Sequence, residues 1–189
     1  MNRSSAVRPI LLAGCLALAL ACSSGSASVH AGTGTIQVNL TDAPIDLSTV
    51  EKVEVTITNV IVYPRGDDSG MPAVDPAGPI VLTTHPQTFD LLTLTGGATD
   101  LLASGEVPAG DYSRIRLEIS DATLTYKDGT IAPLKIDSGK VDVPIAFHVA
   151  ADAMNALTLD FDAGASVQVN ATASDTLILR PVVTPVPHP

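Results

Sequence analysis

Few side chains in this sequence have a type and spacing suited to chemistry. Two are thiols, Cys15 and Cys22. A thiolate is a nucleophile and can accept an acyl group. Cys22 stands where an apolar stretch, Pro9 to Ala21, meets a small polar run, Ser23-Ser24-Gly25-Ser26. That placement suits a lipid acceptor better than redox or metal work. Asp160 and Asp162 flank Phe161. On one strand they project from the same face, ~6.5–7 Å apart. Two like charges so close benefit from a cation, and with loop aspartates they offer oxygen ligands to calcium. Otherwise they form a solvated face opposite Leu159 and Phe161. Of the four histidines, His30 and His188 fall in the tails. His85 and His148 make a metal site only if the fold brings them together. Tyr112 follows Val107-Pro108-Ala109-Gly110, a β-turn pattern with Pro second and Gly fourth. A Tyr so placed packs its ring inward and bonds its hydroxyl back to the chain, a tyrosine corner.

Other chemistry lacks its signature. The chain has no Gly-x-Ser-x-Gly elbow, no Ser-x-x-Lys, no phosphate loop and no His-Glu-x-x-His. Asp67-Asp68-Ser69-Gly70 lacks the alternating ligands and the twelfth-place glutamate of an EF-hand. A glycosidic role for Asp160 and Asp162 needs a substrate cleft with aromatic or polar platforms, and nothing in the sequence supplies one. The sequence therefore assigns no catalytic, cofactor-binding or metal residue. Lipid attachment at Cys22 is the one site it assigns.

The leader explains that site. Arg3 and Arg8 give a positive start, and the apolar stretch after them is shorter than the ~20 residues of a membrane helix. Residues 1–21 read as a signal peptide and 22–33 as a lipidated Cys with its Ser/Gly linker. This resembles the bacterial lipoprotein leader, in which small residues precede a cysteine that receives acyl chains. Leu12-Ala13-Gly14-Cys15 matches the letters of that motif closely. However, Arg8 leaves it only a stub of apolar chain, and cleavage there strands Leu16 to Ala21 on the mature end. Ala19-Leu20-Ala21-Cys22 has the better anatomy. An ordinary secretory signal cut near Ala27 or Ala31 is the alternative. The resemblance implies anchoring by palmitate-like chains, since two or more of them hold a protein stably on a membrane. Ser23, where an Asp often signals retention at the inner membrane, points to the outer one.

Composition restricts the partners. The 189 residues are 46% apolar and 16% charged, which is globular rather than disordered. There is no Trp, and only three Tyr and three Phe, so Val, Ile, Leu and Ala must build the core. The net charge is −10, and removing Arg3 and Arg8 leaves 8 − 20 = −12. So acidic a chain repels nucleic acid and does not bind anionic lipid by charge alone.

The mature chain alternates with period two. Ile36, Val38 and Leu40 form one face, as do Val53, Val55 and Ile57, then Ile115, Leu117 and Ile119. Arg114, Arg116 and Glu118 take the opposite face of the last. The phase slips at Asn59-Val60, a bulge. Residues 64–79 read as a long Pro/Gly loop. Strands are expected at Ile80–Thr83, Thr88–Leu94, Val141–Ile145, Leu157–Phe161, Val167–Val169 and Leu177–Val183. Asp128-Gly129 reads as a two-residue I′ loop joining Thr123–Lys127 to Thr130–Ile136. Asp46–Val50 and Asp152–Asn155 read as short helical turns. The whole predicts an all-β fold, a two-sheet antiparallel β-sandwich of immunoglobulin-like or prealbumin-like kind over residues 34–185, with 186–189 a frayed tail.

Three segments carry a resemblance. Gly34-Thr35-Ile36-Gln37-Val38-Asn39-Leu40-Thr41-Asp42-Ala43-Pro44 runs into Val50–Ile57; Val107-Pro108-Ala109-Gly110-Asp111-Tyr112-Ser113-Arg114-Ile115-Arg116-Leu117 follows; Leu157–Asp162 and Leu179-Arg180-Pro181-Val182-Val183 close the set. Together they resemble the bacterial lipoprotein domain known as domain of unknown function 4382, over about residues 34–185. The resemblance implies a surface-attached β-sandwich and brings no binding residues with it. Physically, Pro44 cannot donate to a ladder and Asp42 can bond nearby backbone, so together they end the first strand. The expectation is a non-enzymatic envelope lipoprotein, a binding or structural module with an unknown envelope or extracellular partner. A carbohydrate- or calcium-binding adhesion module is the alternative, its sugar version weakened by the scarcity of aromatic rings on which sugars stack, and a hydrolase with an unrecognised site is the second alternative.

Overall fold

The computed structural model describes residues 32–42, 48–65, 78–170 and 176–186. Among them run the strands β1 (Thr33–Thr41), β2 (Val50–Pro64), β3 (Ile80–Thr83), β4 (Gln87–Asp90), β5 (Asp100–Pro108), β6 (Gly110–Tyr126), β7 (Ile131–Pro133), β8 (Lys135–Ile136), β9 (Lys140–Val149), β10 (Met154–Phe161), β11 (Val167–Asn170), β12 (Thr176–Leu179) and β13 (Val183–Val186). A 3-10 turn, Leu91–Leu94, follows β4, and a one-turn helix α1, Ala163–Ser166, follows β10.

The strands form a β-sandwich. One sheet has the order β13-β10-β1-β5. The larger has the order β3-β2-β6-β7, with β4 on β2 and β9 on β6. A small third sheet runs β11-β12-β8. Period-two alternation sends one row of each strand into a shared core. Ile36, Val38, Leu40, Leu159 and Phe161 come from the first sheet and are fully buried. Val53, Val55, Val60, Val62, Ile115, Leu117 and Val143 come from the larger one. Aliphatic side chains do most of the filling, as the aromatic-poor composition requires.

Pairing is antiparallel except in two places. β1 runs parallel to β10, with Val38 level with Leu157 and Leu40 with Leu159. β8 runs parallel to β12. The long pair of β2 and β6 runs from Val50 opposite Tyr126 to Pro64 opposite Tyr112. Its register shifts at Ile57/Asn59, which realises the expected phase slip and returns Val60 and Val62 to the core.

Several local expectations are revised. Asp128-Gly129 does turn the chain between β6 and β7, but not as a two-residue loop. Gly129 N donates to Tyr126 O and Tyr126 N to Thr130 O, so the loop is Lys127-Asp128-Gly129. Only Gly129 takes positive φ (84°), while Asp128 does not. This is a turn followed by a left-handed glycine, the three-residue hairpin form. Thr88–Leu94 is strand only as far as Asp90, whose side chain accepts from Leu92 N and starts the 3-10 turn. Asp152–Asn155 is not helical: Asp152 turns with φ 56°, and β10 begins at Met154. Leu177–Val183 is two strands in two sheets. Arg180-Pro181 breaks them, Arg180 N donating to Ser166 O and Val182 N to Ser166 Oγ. β5 has no counterpart in the sequence reading, because Ser104-Gly105-Glu106 blurs its alternation. Gly105 sits against Leu82, and a Cβ there would come 3.2 Å from Leu82 Cδ2. β13 includes Val186, paired with Thr158, one residue past the expected boundary. The Pro/Gly segment 66–77, residues 43–47, both cysteines, His30 and His188 lie outside the described residues.

Candidate functional site

The side chains singled out by type divide into those that hold the fold and those that face outward. Tyr112 holds the fold. Its hydroxyl donates to Pro108 O at 2.8 Å, its ring stacks on Phe147 at 5.1 Å, and it is 2% exposed. Burial pushes its pKa up. This is the expected tyrosine corner.

Asp42 also holds the fold, but not locally as expected. It is buried, and its Oδ1 accepts from Ala163 N at 2.8 Å, 121 residues away. Its own N donates to Leu94 O. Thr41 Oγ1 lies 3.1 Å from Leu94 O and 2.8 Å from Ala98 O. The Thr41-Asp42 pair thus ties the end of β1 to the start of α1 and to the 3-10 turn.

Asp160 and Asp162 do not share a strand face. β10 ends at Phe161, and Asp162 turns to cap α1, its Oδ1 accepting from Ala165 N at 2.8 Å. A carboxylate committed to a cap is poorly placed for an ion. His85 and His148 stay apart. His85 follows β3, which borders β2, whereas His148 lies on β9 beyond β6. Crossing three ladders at about 4.8 Å each separates them widely. His148 Nδ1 instead sits 2.9 Å from Asp111 Oδ1 on the surface.

The outward-facing groups gather on the larger sheet. Arg114, Arg116 and Glu118 alternate with buried Ile115, Leu117 and Ile119 along β6, as expected. β9 sets Asp142 opposite Arg116 and Lys140 opposite Glu118, and β2 sets Tyr63 opposite Arg114. Arg116 grips both oxygens of Asp142, Nε at 2.8 Å and Nη2 at 2.9 Å. Arg114 Nε approaches the same carboxylate at 3.4 Å. The Arg114 guanidinium lies 3.8 Å from the Tyr63 ring centre and that of Arg116 5.3 Å, cation–π contacts. Glu118 accepts from Asn59 Nδ2 at 2.6 Å, with Lys140 Nζ at 3.8 Å. The Arg116 fork holds the Asp142 carboxyl below the usual range and is itself raised by the same bond.

At the end of this ladder lies an open cleft of about 410 Å³. One wall is the bend Asp137-Ser138-Gly139 between β8 and β9, the other Leu179 at the end of β12 with Arg180-Pro181 after it. Ile136 and Val141 line its apolar side, while Asp137, Lys140, Asp142 and Arg180 bring charge. Gly139 pins the bend to β6. Its O accepts from Ile119 N at 2.6 Å and its φ is 62°. A Cβ there would lie 2.6 Å from Ile119 O. A second hollow of about 230 Å³ borders Tyr112, Phe147, His148 and Arg65.

The cleft has no motif in the sequence, because its walls are about 40 residues apart and meet through the β8–β12 pairing and the Asp137–Arg180 contact. One signal was readable. Of the described cations Lys52, Arg65, Arg114, Arg116, Lys127, Lys135, Lys140 and Arg180, five fall between 114 and 140, and none between 66 and 113.

Sheet order, bulged long pair and tyrosine corner together define an all-β sandwich domain with a charged outer cleft. Residues 33–181 match the family described as Domain of unknown function (DUF4382), and the chain belongs to it. No curated protein and no solved structure matches the chain.

Proposed function

We propose that this protein is an exported cell-envelope lipoprotein, held at the outer membrane by acyl chains on Cys22, whose β-sandwich is a non-enzymatic binding or structural module. The observation that carries the reading is the junction at Cys22. A positive start and an apolar run of small residues end there, and a Ser/Gly run leads into β1 at Thr33. From Cys22 to Thr33 is 33 − 22 = 11 residues. Ser/Gly-rich tethers of that length in general have an end-to-end distance of about 17–20 Å. The fate of the carboxylates supports a module without catalysis. Asp42, Asp90, Asp128 and Asp162 each accept from backbone N–H groups and act as fasteners.

Membrane fractions from cells making wild type, Cys15→Ala and Cys22→Ala test the anchor. Wild type and Cys15→Ala are expected to stay with membranes in high salt and to carry labelled palmitate, while Cys22→Ala loses the label. Loss of label in Cys15→Ala moves the anchor to Cys15. Label retained by both variants, or absent from wild type, sinks the lipoprotein reading.

A further inference from the structure

We propose that the cleft between the Asp137–Gly139 bend and Arg180-Pro181 binds a carboxylate-bearing sugar, a uronic acid either free or within a saccharide chain. This rests on the binding-module reading and names its ligand class. The argument begins with charge. Around the cleft stand the cations Lys135, Lys140 and Arg180, backed by Arg114 and Arg116, and the anions are Asp137, Asp142 and Glu118. Among the described residues the carboxylates are too few, and each is shared. Asp137 lies 3.8 Å from both Lys135 Nζ and Arg180 Nε. Asp142 serves two arginines, and Glu118 serves Lys140 and Asn59.

The tight member of the set is the Arg116–Asp142 fork. The contacts of Lys135, Arg180 and Lys140 are long, and these side chains are 65%, 61% and 60% exposed. Such surface pairs contribute little and exchange readily for an incoming carboxylate. A guanidinium presents two parallel donors to that group. The charged lining itself balances, and counting the neighbours named above gives 5 − 3 = +2, in a chain of net charge −10. Such a surplus attracts a ligand with one charge per residue, whereas a dense polyanion is repelled by the net charge of −10.

The walls suit a sugar. Ser138 brings a hydroxyl that also bonds to the Lys140 backbone, Ile136 and Pro181 offer apolar edges, and the Gly139–Ile119 bond keeps the bend in place. The cleft also lies far from the start of β1. β9 runs ten residues from Lys140 at the cleft to Val149 beside Gly34, roughly 30 Å.

The full-length protein in detergent would be titrated with labelled trigalacturonate, galacturonic acid, a neutral galactose trisaccharide and inorganic phosphate. Expected is saturable binding of trigalacturonate that weakens with salt, and none of the neutral sugar. Lys140→Glu with Arg180→Glu should weaken it at least about tenfold. Lys52→Glu with Lys127→Glu, the same charge change elsewhere, should stay within about twofold. Asp137→Asn removes the internal competitor and should tighten binding about threefold. Competition by the monomer as strong as by the trimer assigns the site to a free acid; a response to the trimer alone assigns it to a chain. The proposal fails if both charge-reversed pairs weaken alike, if the neutral sugar or phosphate binds as well, or if a wild type with a cooperative urea transition binds nothing. Membrane partition of the same samples reads the anchor separately.

Discussion

Asp42 at the end of β1 and Asp142 on β9 do similar work in opposite surroundings. Each carboxylate joins segments far apart in sequence, Asp42 to Ala163 and Asp142 to Arg116. Asp42 is 3% exposed, whereas the Asp142 side chain is 42% exposed. Inside, a donor that loses its acceptor has no water to turn to, so the full desolvation cost appears. Outside, water and salt replace the partner at little cost. Burial, not bond count, therefore separates polar groups that build the sandwich from those left available to a ligand.

The comparison is broken most directly at Asp42. Asp42→Ala leaves Ala163 N–H without its acceptor in the core, and urea unfolding should show a loss of about 3 kcal/mol. A loss no larger than that of an exposed pair would remove the distinction. The next test contrasts two bends. Gly139→Ala must place a Cβ against Ile119 O in a left-handed conformation, while Gly129, equally left-handed, faces open space. About 2 kcal/mol or more is expected at 139 and about 1 at 129, read as urea midpoints. Equal losses would mean that the Gly139 contact is not tight.

The smallest effect belongs to Asp142. Asp142→Asn should change stability by no more than about 0.5–1 kcal/mol, and less in high salt. The folded pKa of Asp142 lies below its unfolded value, chiefly because of the Arg116 bond. Its contribution is therefore present above the unfolded pKa and is lost as pH falls through the folded one. Acid titration of stability should be slightly shallower in the Asn variant. An unchanged acid slope would show that the fork adds nothing to the fold.

Much of this was legible residue by residue. Ile36, Val38 and Leu40 declared their face, Asn59-Val60 its bulge, and the Pro108-to-Tyr112 turn its corner, because each depends on near neighbours. The hairpin was legible as a place but not as a form, since Gly129 permits either loop and the Tyr126–Thr130 pairing chooses. Asp42 was rightly placed where β1 stops, but its distant partner was not legible, because the parallel pairing of β1 with β10 brings Ala163 to it. The cleft was invisible for the same reason, its two walls being joined by a two-residue strand pair. Period and turn chemistry travel with the chain, whereas the meeting of 137–140 with 179–181 is a product of topology.

The parallel pairing of β1 with β10 also sets a timetable. β1 is made early and gains its β5 neighbour once residue 108 has emerged, yet its other edge stays bare until β10 is complete at Phe161. Asp42 waits two residues longer, for Ala163. The first strand therefore cannot be closed in until most of the chain exists, and closing so long a loop is slow. A growing chain of this design remains unfinished while it is synthesised, and it locks only when its far end arrives.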